Sequence, residues 1–73
     1  MKLSRYLKEK RLSNRIMARE LASKAGLSRE LIYKLENGSL QNPSINSLKK
    51  IAAALGVKLE DLIKETEEVS DVA

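Results

Sequence analysis

Residues 18–37, ARELASKAGLSRELIYKLEN, constrain the fold of this 73-residue chain most, because they combine helical spacing with one sharp interruption. Leu21 and Ala25 are four apart and Ile32 and Leu35 three apart, so each pair lies on one face of a short helix. Gly26 stands where a helix end needs positive φ, and Ser28 is suited to cap the helix that follows. Helices joined by about three residues in this way cross steeply, at ~90 to 120°, and the closest approach needs a small side chain. Ala22 supplies it. Leu21, Ala22, Ala25, Gly26, Leu27, Ile32 and Leu35 all agree on this arrangement, whereas an ordinary pair of amphipathic helices joined by a glycine would meet only some of these requirements.

The flanking sequence repeats the helical spacing and has no strand-like alternation, which predicts an all-α domain of five short helices. The first is expected from about Ser4, as N-cap, to about Leu12, with Leu3, Tyr6 and Leu7 on one face. Arg11 continues that inward row, so it either snorkels out of the core or is paired inside it. The second helix covers roughly Ala18 to Ala25. Met17 is a poor cap, and Asn14 could cap an earlier start or end helix one. The third runs from Ser28, its cap, to about Glu36, with Asn37 and Gly38 as the stop. After the loop SLQNP, Ser44 caps a fourth helix with Ile45, Leu48, Ile51, Ala52 and Leu55 expected on the buried side, and Gly56 ends it. A fifth begins near Leu59, with Leu62 and Ile63 inward and Glu60 and Asp61 in the first turn, where the helix dipole favours carboxylates. Residues 1–65 read as one domain and 66–73 as an acidic, disordered tail.

Charge divides along the same line. Residues 1–59 carry 13 Lys/Arg against 4 Asp/Glu, a net +9, and residues 60–73 carry 1 against 6, a net −5. A basic body suggests an anionic partner, nucleic acid first, although a well-solvated surface explains the charge equally well. The chain has no Cys and no His, which excludes disulfides and sites built on a thiol, an imidazole base or zinc. No glycine-rich phosphate loop or convincing carboxylate pair remains to carry catalysis, so no enzyme, cofactor or metal is expected. With no apolar run near the ~18 to 20 residues of a membrane span and no signal-like amino terminus, a cytoplasmic protein is expected.

The crossed pair at 18–37 is a helix-turn-helix, and at this point the chain resembles the repressor-like family that includes phage repressors, Cro proteins and many small bacterial regulators. The resemblance covers residues 3–63 and rests on LSRELIYKLENG at 27–38 with NPSINSLKKIAAALGVKLEDLI at 42–63, similar to the family's fourth and fifth helices. It implies a five-helix domain that binds double-stranded DNA operators as a homodimer. If the third helix enters the major groove amino end first, Ser28, Arg29, Glu30, Tyr33 and Lys34 point away from Ile32 and Leu35 and are the candidates for base contact. Arg29 suits guanine O6 and N7, Glu30 the cytosine N4 amino group, and Lys34 guanine or a phosphate. Alternatively, Glu30 and Lys34 form an exposed i, i+4 pair and Arg29 is merely solvated. Tyr33 meets a phosphate or packs on the neighbouring helix, and Leu31 touches a thymine methyl or, the preferred reading, covers the edge of the core.

Family resemblance further implies phosphate contacts from the start of the second helix and the loop after the third, here Ala18, Arg19, Asn37, Ser39, Gln41 and Asn42. Relatives often have glutamine where this chain has Ala18, which leaves only its backbone N–H, with Arg19 or Arg15 as substitutes. Relatives also pair an arginine of the first helix with a glutamate before Asn-Gly, which implies a structural ion pair between Arg11 and Glu36. Their carboxy-terminal helices meet in dimers, which implies an interface of Val57, Lys58, Leu59, Leu62 and Ile63, although the same leucines serve equally well to close the core. Two rival functions share the fold. One is the DNA-binding antitoxin of a toxin–antitoxin pair, whose tail, with Val69 and Val72, engages a small protein partner. The other is a protein-interaction module that keeps the fold without the DNA contacts.

Overall fold

The structure, a computed structural model, describes residues 2–66, and all of the expected tail at 66–73 except Thr66 lies outside them. Five helices follow in order: α1 (Lys2–Ser13), α2 (Ala18–Ala25), α3 (Arg29–Glu36), α4 (Ile45–Leu55) and α5 (Leu59–Glu65). No strand occurs among the described residues. α3 packs on both α1 and α2, α4 on α2 and α5, and α5 returns to α1, so the elements close around one core. Leu7, Leu21, Ile32, Leu35, Ile51 and Leu62 are its fully buried large side chains.

Helix ends follow from backbone chemistry. Ser28 Oγ accepts from the Leu31 N–H at 3.1 Å, and Ser44 Oγ from the Ser47 N–H at 3.1 Å, each satisfying a donor that has no partner within its helix. α2 starts at Ala18 despite Met17, because the Glu20 carboxylate accepts from the Met17 N–H at 2.7 Å. This is the reverse half of a capping box, and it needs no side-chain oxygen at the cap itself. At the other end Gly26 takes φ 70° while Leu27 N–H reaches back to the Ala22 carbonyl at 2.9 Å, a Schellman turn that folds half-buried Leu27 onto the core.

The same turn ends α1, where no glycine announces it. Ile16 N–H bonds to the Arg11 carbonyl at 3.3 Å and Arg15 N–H to that of Leu12 at 2.9 Å, and Arg15 takes φ 57°. A side chain in that region is disfavoured by about 1 to 2 kcal/mol. Asn14 does not cap α2 but ends α1, its N–H donating to the Lys10 carbonyl at 3.1 Å, and its Nδ2 donates to the Leu55 carbonyl at 3.4 Å.

Four expectations need correction. Ser4 lies inside α1, which begins at Lys2. Ile45 is 52% exposed, because it is the first residue of α4 and projects beyond the neighbours that cover Leu48 and Ile51. Ile63 is 41% exposed, since α5 turns only Leu62 fully into the core. Thr66, expected in the tail, closes α5 with its Oγ1 donating to the Ile63 carbonyl at 2.8 Å.

Candidate nucleic-acid interface

α3 has two faces of opposite character. Ile32 and Leu35 are buried between α1 and α2, while Ser28, Arg29, Glu30, Tyr33 and Lys34 are all exposed. Lys34 Nζ stands 3.2 Å from Glu30 Oε2, an i, i+4 pair open to water and worth a few tenths of a kcal/mol. Arg29 forms no ion pair among the described residues and occupies the first turn, where the helix dipole disfavours a cation with no anion nearby. Ser28 spends one lone pair on the cap, so its hydroxyl proton remains available as a donor.

At its carboxy-terminal end α3 is tied to α1. Glu36 accepts from Arg11 Nε at 2.7 Å and Nη2 at 3.0 Å, and Arg11 Nη1 donates to the Ile16 carbonyl at 2.8 Å. Both side chains are nearly buried, with relative exposures of 11% and 9%. The hydrogen bond to Glu36 is the main cause that holds the guanidinium above its already high ordinary pKa, against the opposing effect of burial. This two-pronged geometry suits a planar guanidinium and would not be reproduced by lysine.

Beside the pair runs an open groove lined by Lys8, Ala18, Tyr33 and Asn37, with Arg11 and Glu36 at its floor. Of the residues expected to meet phosphates, Ala18 is half-buried against the core and Arg19, Asn37, Ser39, Gln41 and Asn42 are exposed. Asn37 Oδ1 accepts from both the N–H and the hydroxyl of Ser39, at 2.9 and 2.7 Å. The acceptor is thereby occupied and the Nδ2 amino group is left to donate, which is the polarity a phosphate requires. Gln41 Nε2 donates to the Gly38 carbonyl at 3.3 Å and keeps a second N–H.

Of the expected dimer residues, one does not reach the surface. Leu62 is fully buried, which makes it a core residue that cannot reach a partner while the fold is intact. Val57 and Leu59 are half-buried against the core, while Lys58 and Ile63 are exposed. Two residues of the α3 surroundings escaped the sequence reading. Lys8, one turn before Arg11 on α1, faces the same groove, a placement its i, i+3 spacing could have indicated. Leu40 lies against the flank of α3, and no local pattern signals that.

A short helix pair displays one polar face flanked by basic residues and amide donors, which is the arrangement of a helix-turn-helix protein. A helix-turn-helix family model matches residues 3–62, and the chain belongs to that family. The HTH-type transcriptional regulator SinR of Bacillus licheniformis is 36% identical over 67 residues, covering 92% of this chain and 57% of that protein. SinR of Bacillus subtilis (strain 168) matches with the same identity and coverage. The uncharacterized HTH-type transcriptional regulator RghRB of Bacillus subtilis is 37% identical over 57 residues, 78% of this chain and 41% of that protein. The chain thus spans little more than half the length of the SinR proteins it matches, at 57%.

Proposed function

We propose that this chain acts within the cytoplasm as a sequence-specific transcription regulator, a repressor, binding double-stranded DNA as a homodimer with α3 in the major groove. The reading rests on the division of α3, whose inner face is locked by Ile32, Leu35 and the Arg11–Glu36 pair while Arg29, Glu30 and Lys34 are presented outward. Arg29 is assigned to a guanine edge, Glu30 to cytosine N4 and Lys34 to a base acceptor in the groove. Tyr33, the Ala18 backbone N–H, Arg19, Asn37, Ser39, Gln41 and Asn42 are assigned to the phosphate backbone, with Arg15 and Lys8 adding charge where Ala18 has no polar group. Val57, Lys58, Leu59 and Ile63 are assigned to contact between copies, which sets the two α3 helices ~34 Å apart, one turn of DNA.

Selection of binding sites from random duplexes, followed by titration at two salt concentrations, tests the reading. A dimer neutralising ~6 to 10 phosphates loses ~10³- to 10⁵-fold in affinity between 50 and 200 mM salt. The selected site should be palindromic, and Arg29→Ala should relax it at a G·C pair. Absent or salt-independent affinity would overturn the proposal, and co-purification with a second small protein in place of DNA would favour the antitoxin reading.

A further inference from the structure

Next to the polar face of α3 lies a shallow cleft whose floor is apolar and whose rim is polar. Leu31 and Leu40 form the floor, and Ser28, Glu30 and Lys34 the rim. Both leucines are half-buried and rest on the core. Leu40 belongs to the loop after α3, yet its position is fixed, because its N–H donates to the Lys34 carbonyl at 3.1 Å. An apolar notch therefore sits within the helix face that carries Glu30 and Lys34, held by a backbone hydrogen bond and by packing from below.

We infer that this notch reads a thymine by its C5-methyl group, with Leu31 and Leu40 enclosing the methyl and Lys34 donating to the neighbouring O4. The inference rests on the placement of α3 in the major groove. Of the four bases, thymine alone presents a methyl beside an acceptor in that groove, and cytosine presents an amino donor with no methyl. A leucine pair has no use for an amino edge, and lysine is the donor that O4 needs. Leu31 thus serves both readings its position in the sequence left open: its inner side covers the core and its outer side meets the base. Lys34 exchanges its exposed pairing with Glu30 for the base, which costs little, since that pair lies in water.

The test removes one methyl group from the DNA and leaves the protein whole. In the site obtained by selection, each thymine is replaced in turn by uracil, which differs only at C5, and the dissociation constant is measured for each duplex. One thymine per half-site should weaken binding about fourfold on losing its methyl, the factor that corresponds to burying one carbon of this size. In Leu31→Ala and in Leu40→Ala the same exchange should change affinity by less than about 1.5-fold, the floor having been removed. Because each figure is a ratio between two duplexes with one protein, partial unfolding of a variant cancels. Indifference to every thymine-to-uracil exchange, or a fourfold loss that persists in both variants, would overturn the inference and leave the DNA-binding reading intact. A chain with no salt-dependent DNA affinity would overturn both.

Discussion

Replacing Glu36 by alanine tests how α3 is held. The substitution removes both acceptors of Arg11 Nε and Nη2 and leaves a guanidinium with 11% side-chain exposure whose only remaining partner among the described residues is the Ile16 carbonyl. Stranding a nearly buried charge in this way costs ~3 to 5 kcal/mol. A domain of this length has a total stability of roughly 4 to 11 kcal/mol at the usual value per residue. The variant therefore loses between about a quarter and all of it, and its Tm should fall by roughly 12 to 40 °C. Urea denaturation followed by far-ultraviolet circular dichroism measures the loss directly.

Two comparisons isolate the cause. Arg11→Met combined with Glu36→Leu removes both charges together and should recover to within about 2 kcal/mol of the parent, the remainder reflecting the Ile16 carbonyl that has lost its donor. Salt should leave the Glu36→Ala loss almost unchanged, because a nearly buried pair is poorly screened. A loss below about 1 kcal/mol, or a double variant as unstable as the two single losses added, would mean that water reaches the pair and that packing alone holds α3 to α1.

Four further outcomes are expected. Arg15→Gly relieves a side chain from φ 57° and should leave stability equal or up to about 1 kcal/mol higher, while DNA affinity falls through the lost cation; unchanged affinity would remove Arg15 from the interface. Glu30→Ala should alter stability by less than about 0.5 kcal/mol, because its pair with Lys34 is exposed, yet change the selected base at one position, as read by repeated site selection. Ser28→Asp keeps an N-cap acceptor and so keeps stability within about 0.5 kcal/mol, whereas Ser28→Ala loses about 1 kcal/mol; only the aspartate should repel DNA by tenfold or more in a binding titration. The Tyr6 phenol is held above its ordinary value, first by burial and then by the carboxylates of Asp61 and Glu65, with the Lys10 ammonium 5.6 Å from its ring. A raised value for an acid means that its contribution is complete below about pH 10 and is lost as pH rises through the folded-state value, so Tyr6→Phe should flatten the alkaline limb of the stability profile.

The parts of the fold legible in the sequence are those written in local chemistry. Ser28 and Ser44 announce caps because a hydroxyl can replace a missing backbone partner, and Gly26 and Gly56 announce ends because φ near 70° suits glycine. Features that depend on a neighbour are not legible there. Ser4 has the chemistry of a cap but sits inside α1, and Ile45 and Ile63 have helical spacing but project past the partners that cover Leu48 and Leu62. Arg15 ends α1 in a glycine-like conformation, which the bonds of Arg15 and Ile16 to Leu12 and Arg11 impose and which its residue type conceals. Among the interface candidates, outward orientation on α3 could be derived from the helical period. The approach of Leu40 to Lys34 could not, because a loop residue's position is set by where the next helix must begin.

α3 has only eight residues, fewer than the ~12 to 15 at which isolated helices become even marginally stable, so its order comes from what surrounds it. Those supports enter from the inner side or the ends: Ile32 and Leu35 in the core, Ser28 at the start, Arg11 on Glu36 at the finish, and the Leu40 N–H on the Lys34 carbonyl at the flank. The outer side chains of Arg29, Glu30 and Lys34 carry none of them beyond one solvated ion pair. In the proposed function, stability and base preference are therefore governed by largely separate atoms of the same helix, with Ser28 the main overlap. Substitutions on the outer side change what the helix meets without changing how it is held. The Arg11–Glu36 pair works the other way, since it is nearly buried yet ties to α1 the end of the helix from which the outward side chains project.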